Sequence, residues 1–108
     1  MNRRIAMVIN VRPEHREEYL RLHKEPDPIV MQALRDANHV NYTIFNLGNL
    51  LVCTFTYTGK DLDADRTRLR QRPDLQDWMQ KTANMQEQFE VTQEGNWWSV
   101  MDEVLHDV

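Results

Sequence analysis

Tyr19 and His23 stand four residues apart in a stretch that reads as helix, so their side chains fall about 40° apart around the axis and share one face. Imidazole has its unperturbed pKa near neutrality, and it gives or takes a proton at physiological pH. A phenol beside it adds a hydrogen-bonding partner. By residue type alone the pair also fits an ordinary packed histidine. Tyr42 begins a strand-like run in a polar context, and Trp78 falls in the apolar stripe of a helix, so each also has a plain packing role open to it. Yet a flat indole stacks on the C–H face of a sugar, and tyrosine hydroxyls bond to sugar hydroxyls. Two tyrosines, a tryptophan and a histidine therefore suit a pyranose site.

These residues need elements to carry them. Ile5, Met7, Ile9 and Val11 alternate with Ala6, Val8 and Asn10, the period of a strand. Pro13, with Glu14, Glu17 and Glu18 early and Arg21 and Lys24 late, marks a helix running to about Glu25. Pro26 and Pro28 stop it, and Asp27-Pro28 supplies the N-cap and first position of a second helix with Val30, Ala33, Leu34 and Ala37 on its apolar stripe. Asn41–Asn46 and Leu50–Thr58 read as a hairpin turned by Leu47-Gly48-Asn49. A weakly amphipathic helix over Asp61–Arg70 follows. After Pro73, Leu75, Trp78, Met79, Thr82, Met85 and Phe89 predict a stronger one, and Trp97–His106 predicts a last strand. The order β-α-β-β-α-β is the split βαβ pattern of an α+β, ferredoxin-like domain: an antiparallel four-stranded sheet with helices on one face. The other face is left open, and two protomers could cover it by packing sheet on sheet. A homodimer is the expectation.

Composition excludes other classes. The 108 residues fit a single domain, 1–108, without a Pro-, Gly- or Ser-rich linker. The net charge of −4, with acids and bases interspersed, argues against nucleic acid, and the Arg66–Arg72 stretch after Asp61, Asp63 and Asp65 reads as a solvated helix obeying its macrodipole. Three glycines cannot make a nucleotide-cradling loop, and His15, His23, His39 and His106 lack metal-ligand spacing. No cofactor and no metal are expected. Cys53, alone in an apolar run, reads as a buried inert thiol in a reducing compartment. The opening Asn2-Arg3-Arg4 stretch is too short and polar for a secretory leader, and nothing approaches the roughly 20 apolar residues of a membrane span. A cytoplasmic protein is expected.

The arrangement Tyr19-Leu-Arg-Leu-His23, then Asn41-Tyr42, Asn49-Leu50-Leu51, Gln76-Asp77-Trp78 and finally Glu103-Val104-Leu105 resembles the L-rhamnose mutarotase family over nearly the whole chain. The resemblance implies a dimeric α+β barrel that interconverts the α and β anomers of a deoxyhexose without a cofactor. It places the catalytic acid on His23, sugar-binding tyrosines on Tyr19 and Tyr42, and the family's tandem tryptophans on Trp78 and Met79, as an apolar wall. Asp27-Pro28-Ile29-Val30 and Met79 depart from the family pattern, and Trp97-Trp98 is a different tryptophan pair. Two other readings stand beside it: an α+β barrel enzyme on another small substrate, or a non-catalytic sugar-binding module.

Overall fold

The computed structural model describes residues 2–91 and 93–107. Strand β1 (Arg3–Val11) buries Ile5, Met7, Ile9 and Val11 on one face, as its alternation requires. Antiparallel β3 (Leu50–Tyr57) pairs with it from Arg3↔Tyr57 to Asn10↔Leu50 and adds Leu51, Cys53, Phe55 and Tyr57 to that face. β2 (His39–Leu47) pairs with β3 through a two-residue turn in which Gly48 takes φ +58°, the first central position of a type II′ hairpin.

Among the described residues four helices cover the buried face: α1 (Arg16–Lys24), α2 (Pro28–Asp36), α3 (Leu62–Arg70) and α4 (Gln76–Met85). Short 3-10 turns at Pro13–His15 and Pro73–Leu75 lead into α1 and α4. The Asp27 side chain accepts from Ile29 N at 2.9 Å, as its place before Pro28 predicts, and that of Asp61 accepts from Ala64 N at 3.1 Å, so both carboxylates cap helix starts. Asp65, buried on α3, accepts hydrogen bonds from Tyr57 Oη and Asn38 Nδ2 and an ion pair from Arg68. This ties α3 to the far end of the sheet. Gly59 is obligatory there, since a Cβ would collide with the Tyr57 hydroxyl and the Asp65 carboxylate.

The α+β order with helices on one side of an antiparallel sheet is borne out, in the spatial order β2-β3-β1 with a short fourth strand, β4 (Gln86–Glu87), on the free edge of β1. Two boundaries differ from the sequence reading. The last helix ends at Met85 rather than Phe89, because Gln86 and Glu87 turn into a short strand, β4, paired with Val11 and Asn10, while Arg12 N donates to Met85 O. The expected Trp97–His106 strand is only β5 (Ser99–Val100), opposite Val8 and Met7. Both pieces occupy the same side of β1, so the fourth strand is one edge interrupted by residues 88–98. Beyond β5, Met101 N donates to Ala6 O and Glu103 pairs with Arg4 at 3.1 Å. Residues 104–107 form no strand and are exposed, Val104 and Leu105 at 98% and 85%.

Among the described residues no helix covers the opposite sheet face. Phe45 and Leu47 are 60% and 79% exposed on it.

Candidate active site

Arg16 seats α1 on the sheet: its Nε donates to Gly48 O and its Nη2 to Asn46 Oδ1, both at 2.7 Å. Tyr19 is thereby pressed into the core with Ile9, Val11, Leu51 and Met85. One turn later His23 lies flat on the Tyr19 ring, centroids 4.2 Å apart and planes 22° apart, with the Trp78 indole tilted to it at 5.4 Å. His23 Nδ1 is 2.8 Å from Tyr19 O, and since a carbonyl only accepts, Nδ1 carries the hydrogen. The lone pair is then on Nε2. Burial pushes the His23 pKa down, with the Tyr19 carbonyl opposing, so the ring is neutral at pH 7.

The Tyr19 hydroxyl is oriented by two residues that sequence patterns did not single out for the site. Trp97 Nε1, a donor only, reaches Gln86 Oε1 at 2.7 Å, which fixes the amide so that Gln86 Nε2 donates to Tyr19 Oη at 2.8 Å. The phenol accepts there and keeps its own proton to donate. Its pKa is pushed up to about 12, chiefly by burial, so it remains protonated. Gln86 was legible only as a polar residue inside the expected Leu75–Phe89 helix, and Trp97 only as an extra indole.

Tyr42 reaches the helix side of the sheet through a bulge. Strict alternation from His39 would turn Asn41 inward and Tyr42 outward. Instead the register shifts between Val40 and Thr43, with Asn41 at φ +53°, and both His39 and Tyr42 stack on Phe55, at 4.3 and 5.7 Å. Burial raises the Tyr42 pKa well above its ordinary value, and that of neighbouring Cys53 to about 11. Tyr42, Trp78 and Met79 all pack on the cluster of Val30, Ala33, Leu34 and Leu75. The five residues singled out from the sequence thus form two touching groups, Tyr19–His23–Trp78 and Tyr42–Trp78–Met79 on their shared apolar floor.

Beside Tyr42 is a cavity of about 70 Å³ lined also by Met7, Leu34, His39, Arg66, Leu69 and Arg70. A larger depression of about 300 Å³ lies against Arg21, Leu22, Lys24 and Glu25. None of the aromatic or proton-transfer residues lines it, and it is a surface groove at the end of α1. Among the described residues no three His, Cys, Asp or Glu side chains gather as a metal site. What the arrangement can do chemically is exchange a proton at Nε2 of a neutral imidazole, beside a phenolic donor and an indole wall.

A family model described as L-rhamnose mutarotase matches residues 4–106. A search of curated protein sequences gives no significant match. Among solved structures, an L-rhamnose mutarotase from Formosa agariphila superposes with a TM-score of 0.74 at 17% identity, over 98% of this chain and 99% of that one. The tetracenomycin F2 cyclase of Streptomyces glaucescens, a type-II polyketide cyclase, gives 0.73 at 13% identity over 98% and 97%. At such identities each likeness is one of fold.

Proposed function

Because the chain belongs to the L-rhamnose mutarotase family, we propose that His23 exchanges the proton that opens and closes a deoxyhexose ring. The protein is a sugar mutarotase, an isomerase interconverting α and β anomers. Mutarotation needs a proton removed from the anomeric hydroxyl and one delivered to the ring oxygen; the freed aldehyde then rotates and the ring closes on its other face. A neutral His23 takes the anomeric proton while water delivers one to the ring oxygen, and on closure it returns its proton to the carbonyl oxygen as the ring hydroxyl gives its own back to water. Tyr19 and Tyr42 donate to sugar hydroxyls. Trp78 with Met79 offers the apolar wall for the C–H face. No step requires a cofactor.

The observation that carries the assignment is the His23–Tyr19 stack with Nδ1–H tied to Tyr19 O, which holds Nε2 as the exchanging atom. Saturation-transfer NMR on L-rhamnose and L-fucose tests it: the protein must accelerate exchange between anomer signals. Retention of sugar without faster exchange would make the chain a binding module instead.

A homodimer closed through the open sheet face is part of the proposal, supported by the exposure of Phe45 and Leu47 there. Among the described residues no helix is long and apolar enough to cross a membrane. A cytoplasmic setting is supported by Cys53, fully buried and free.

A further inference from the structure

The cavity beside Tyr42 holds a charge that proton exchange at His23 does not use. Arg66 on α3 is half-buried and turns inward, with Nη1 3.0 Å from Met7 Sδ. A thioether is a weak acceptor and neutralises nothing. Among the described residues no carboxylate lies within ion-pair distance of Arg66: Asp65 is engaged by Tyr57, Asn38 and Arg68, and Asp63 acts only from further away. Burial depresses the Arg66 pKa, and Arg70, one turn on and lining the same cavity, adds repulsion. An unpaired cation held where solvation is poor weakens a fold unless something else repays it.

Shape and chemistry restrict what that is. At about 70 Å³ the cavity is far below the roughly 300–1,000 Å³ of a pocket that encloses a whole small molecule, but it has room for a carboxylate. His39 spends Nδ1–H on Ala37 O at 2.8 Å and has its pKa lowered by burial, so it is neutral and brings no counter-charge. The Tyr42 hydroxyl is the other polar group; Met7, Leu34 and Leu69 are apolar. A methyl group, as on a deoxyhexose, would leave the guanidinium unpaired. A carboxylate would take it, two oxygens on one planar fork.

We propose that Arg66 receives the carboxylate of a sugar acid whose ring lies on the His23 side of Tyr42, making hexuronates preferred substrates over neutral deoxyhexoses. The inference rests on the mutarotase reading for what happens to the sugar, and on the cavity alone for what is recognised.

Closed methyl glycosides cannot open, so their binding separates recognition from catalysis. NMR titrations at pH 7 would compare methyl hexuronides with the matching neutral methyl hexosides in the gluco, galacto and manno series. At least one acid should bind about tenfold or more tightly than its neutral counterpart, the scale of a charge-assisted hydrogen bond. Arg66→Met should bring the two within about twofold, and Arg66→Lys should keep part of the preference. Circular dichroism checks the variants' folding, and the wild-type comparison depends on neither. Equal affinities in every series, no binding of any acid, or a folded Arg66→Met protein that keeps the preference would overturn the proposal. Tighter binding of methyl hexoside 6-phosphates than of hexuronides would overturn the choice of carboxylate. Anomer exchange of free L-rhamnose and of the free uronates is read alongside. Exchange without acid preference refutes only the role of Arg66, whereas acid preference without any sugar exchange refutes the mutarotase reading.

Discussion

The imidazole of His23 rests on the ring of Tyr19 and hydrogen-bonds that same residue's carbonyl, so one tyrosine fixes both the plane and the tautomer of the histidine. Removing the imidazole tests whether that atom carries the reaction. His23→Ala is expected to slow anomer exchange about 10²-fold or more, the usual scale for losing a general acid or base, with a native circular dichroism spectrum. His15→Ala, two turns earlier, is the control and should be nearly silent.

The depressed His23 pKa sets the pH response. Exchange should be flat above about pH 6.5, the ordinary histidine value, and fall with a midpoint below it as Nε2 becomes protonated. The unfolded chain takes the proton first, so stability should also decline as pH drops below about 6.5 and level off once the folded histidine titrates. His39, shifted the same way, adds to that slope. Denaturant titrations across this range, on wild type and His23→Ala, should show a shallower decline in the variant. A midpoint of exchange above 6.5 would contradict the neutral-imidazole mechanism.

Gln86 orients the Tyr19 hydroxyl without facing the substrate. Gln86→Met fills the space but removes both hydrogen bonds, leaving the phenol free to rotate and the Trp97 N–H without its acceptor. We expect about tenfold slower exchange and a stability loss of ~2 kcal/mol, the net worth of two typical hydrogen bonds. Trp97→Phe, which frees the amide to flip, should reproduce part of the kinetic loss.

Asn41 bears the left-handed backbone that turns Tyr42 inward. Asn41→Gly should be tolerated, while Asn41→Val, with a β-branched side chain at φ +53°, should cost about 1–2 kcal/mol in chemical denaturation and weaken sugar binding. Equal stability of the two variants would show that the bulge does not depend on this residue.

Leu47 tests the dimer. The wild-type chain is expected to sediment as a dimer at micromolar concentration, and Leu47→Glu to shift it to monomer, because a charge would be buried against the partner sheet.

The helix-borne part of the site was legible because helical spacing is local: Tyr19, His23, Trp78 and Met79 follow from a 3.6-residue period and lie where it puts them. Tyr42 was legible by type but not by direction, since the shift at Asn41 is a tertiary choice that alternation does not encode. Arg66 read as one charge of a solvated run; its neighbours Arg68 and Arg70 are exposed as that reading expects, but Arg66 turns onto Met7 of the helix-covered sheet face. Helix periodicity over Leu75–Phe89 overshot because Met85 and Phe89 share a face in any helix, and only the proximity of β1 tells the chain to leave it at Gln86.

The broken edge strand separates two kinds of inheritance. Because β4 and β5 are pinned independently to opposite stretches of β1, a change of length between them need not slip the register of β1 on β3, provided Trp98 keeps its place on the core. Trp97, which reaches Gln86 from that excursion, is thus held by a segment outside that register, while Tyr19 and His23 are borne on α1. Retuning of the phenol's environment is open to small insertions and deletions there, a kind of change that elsewhere in so small a sheet would dismantle it.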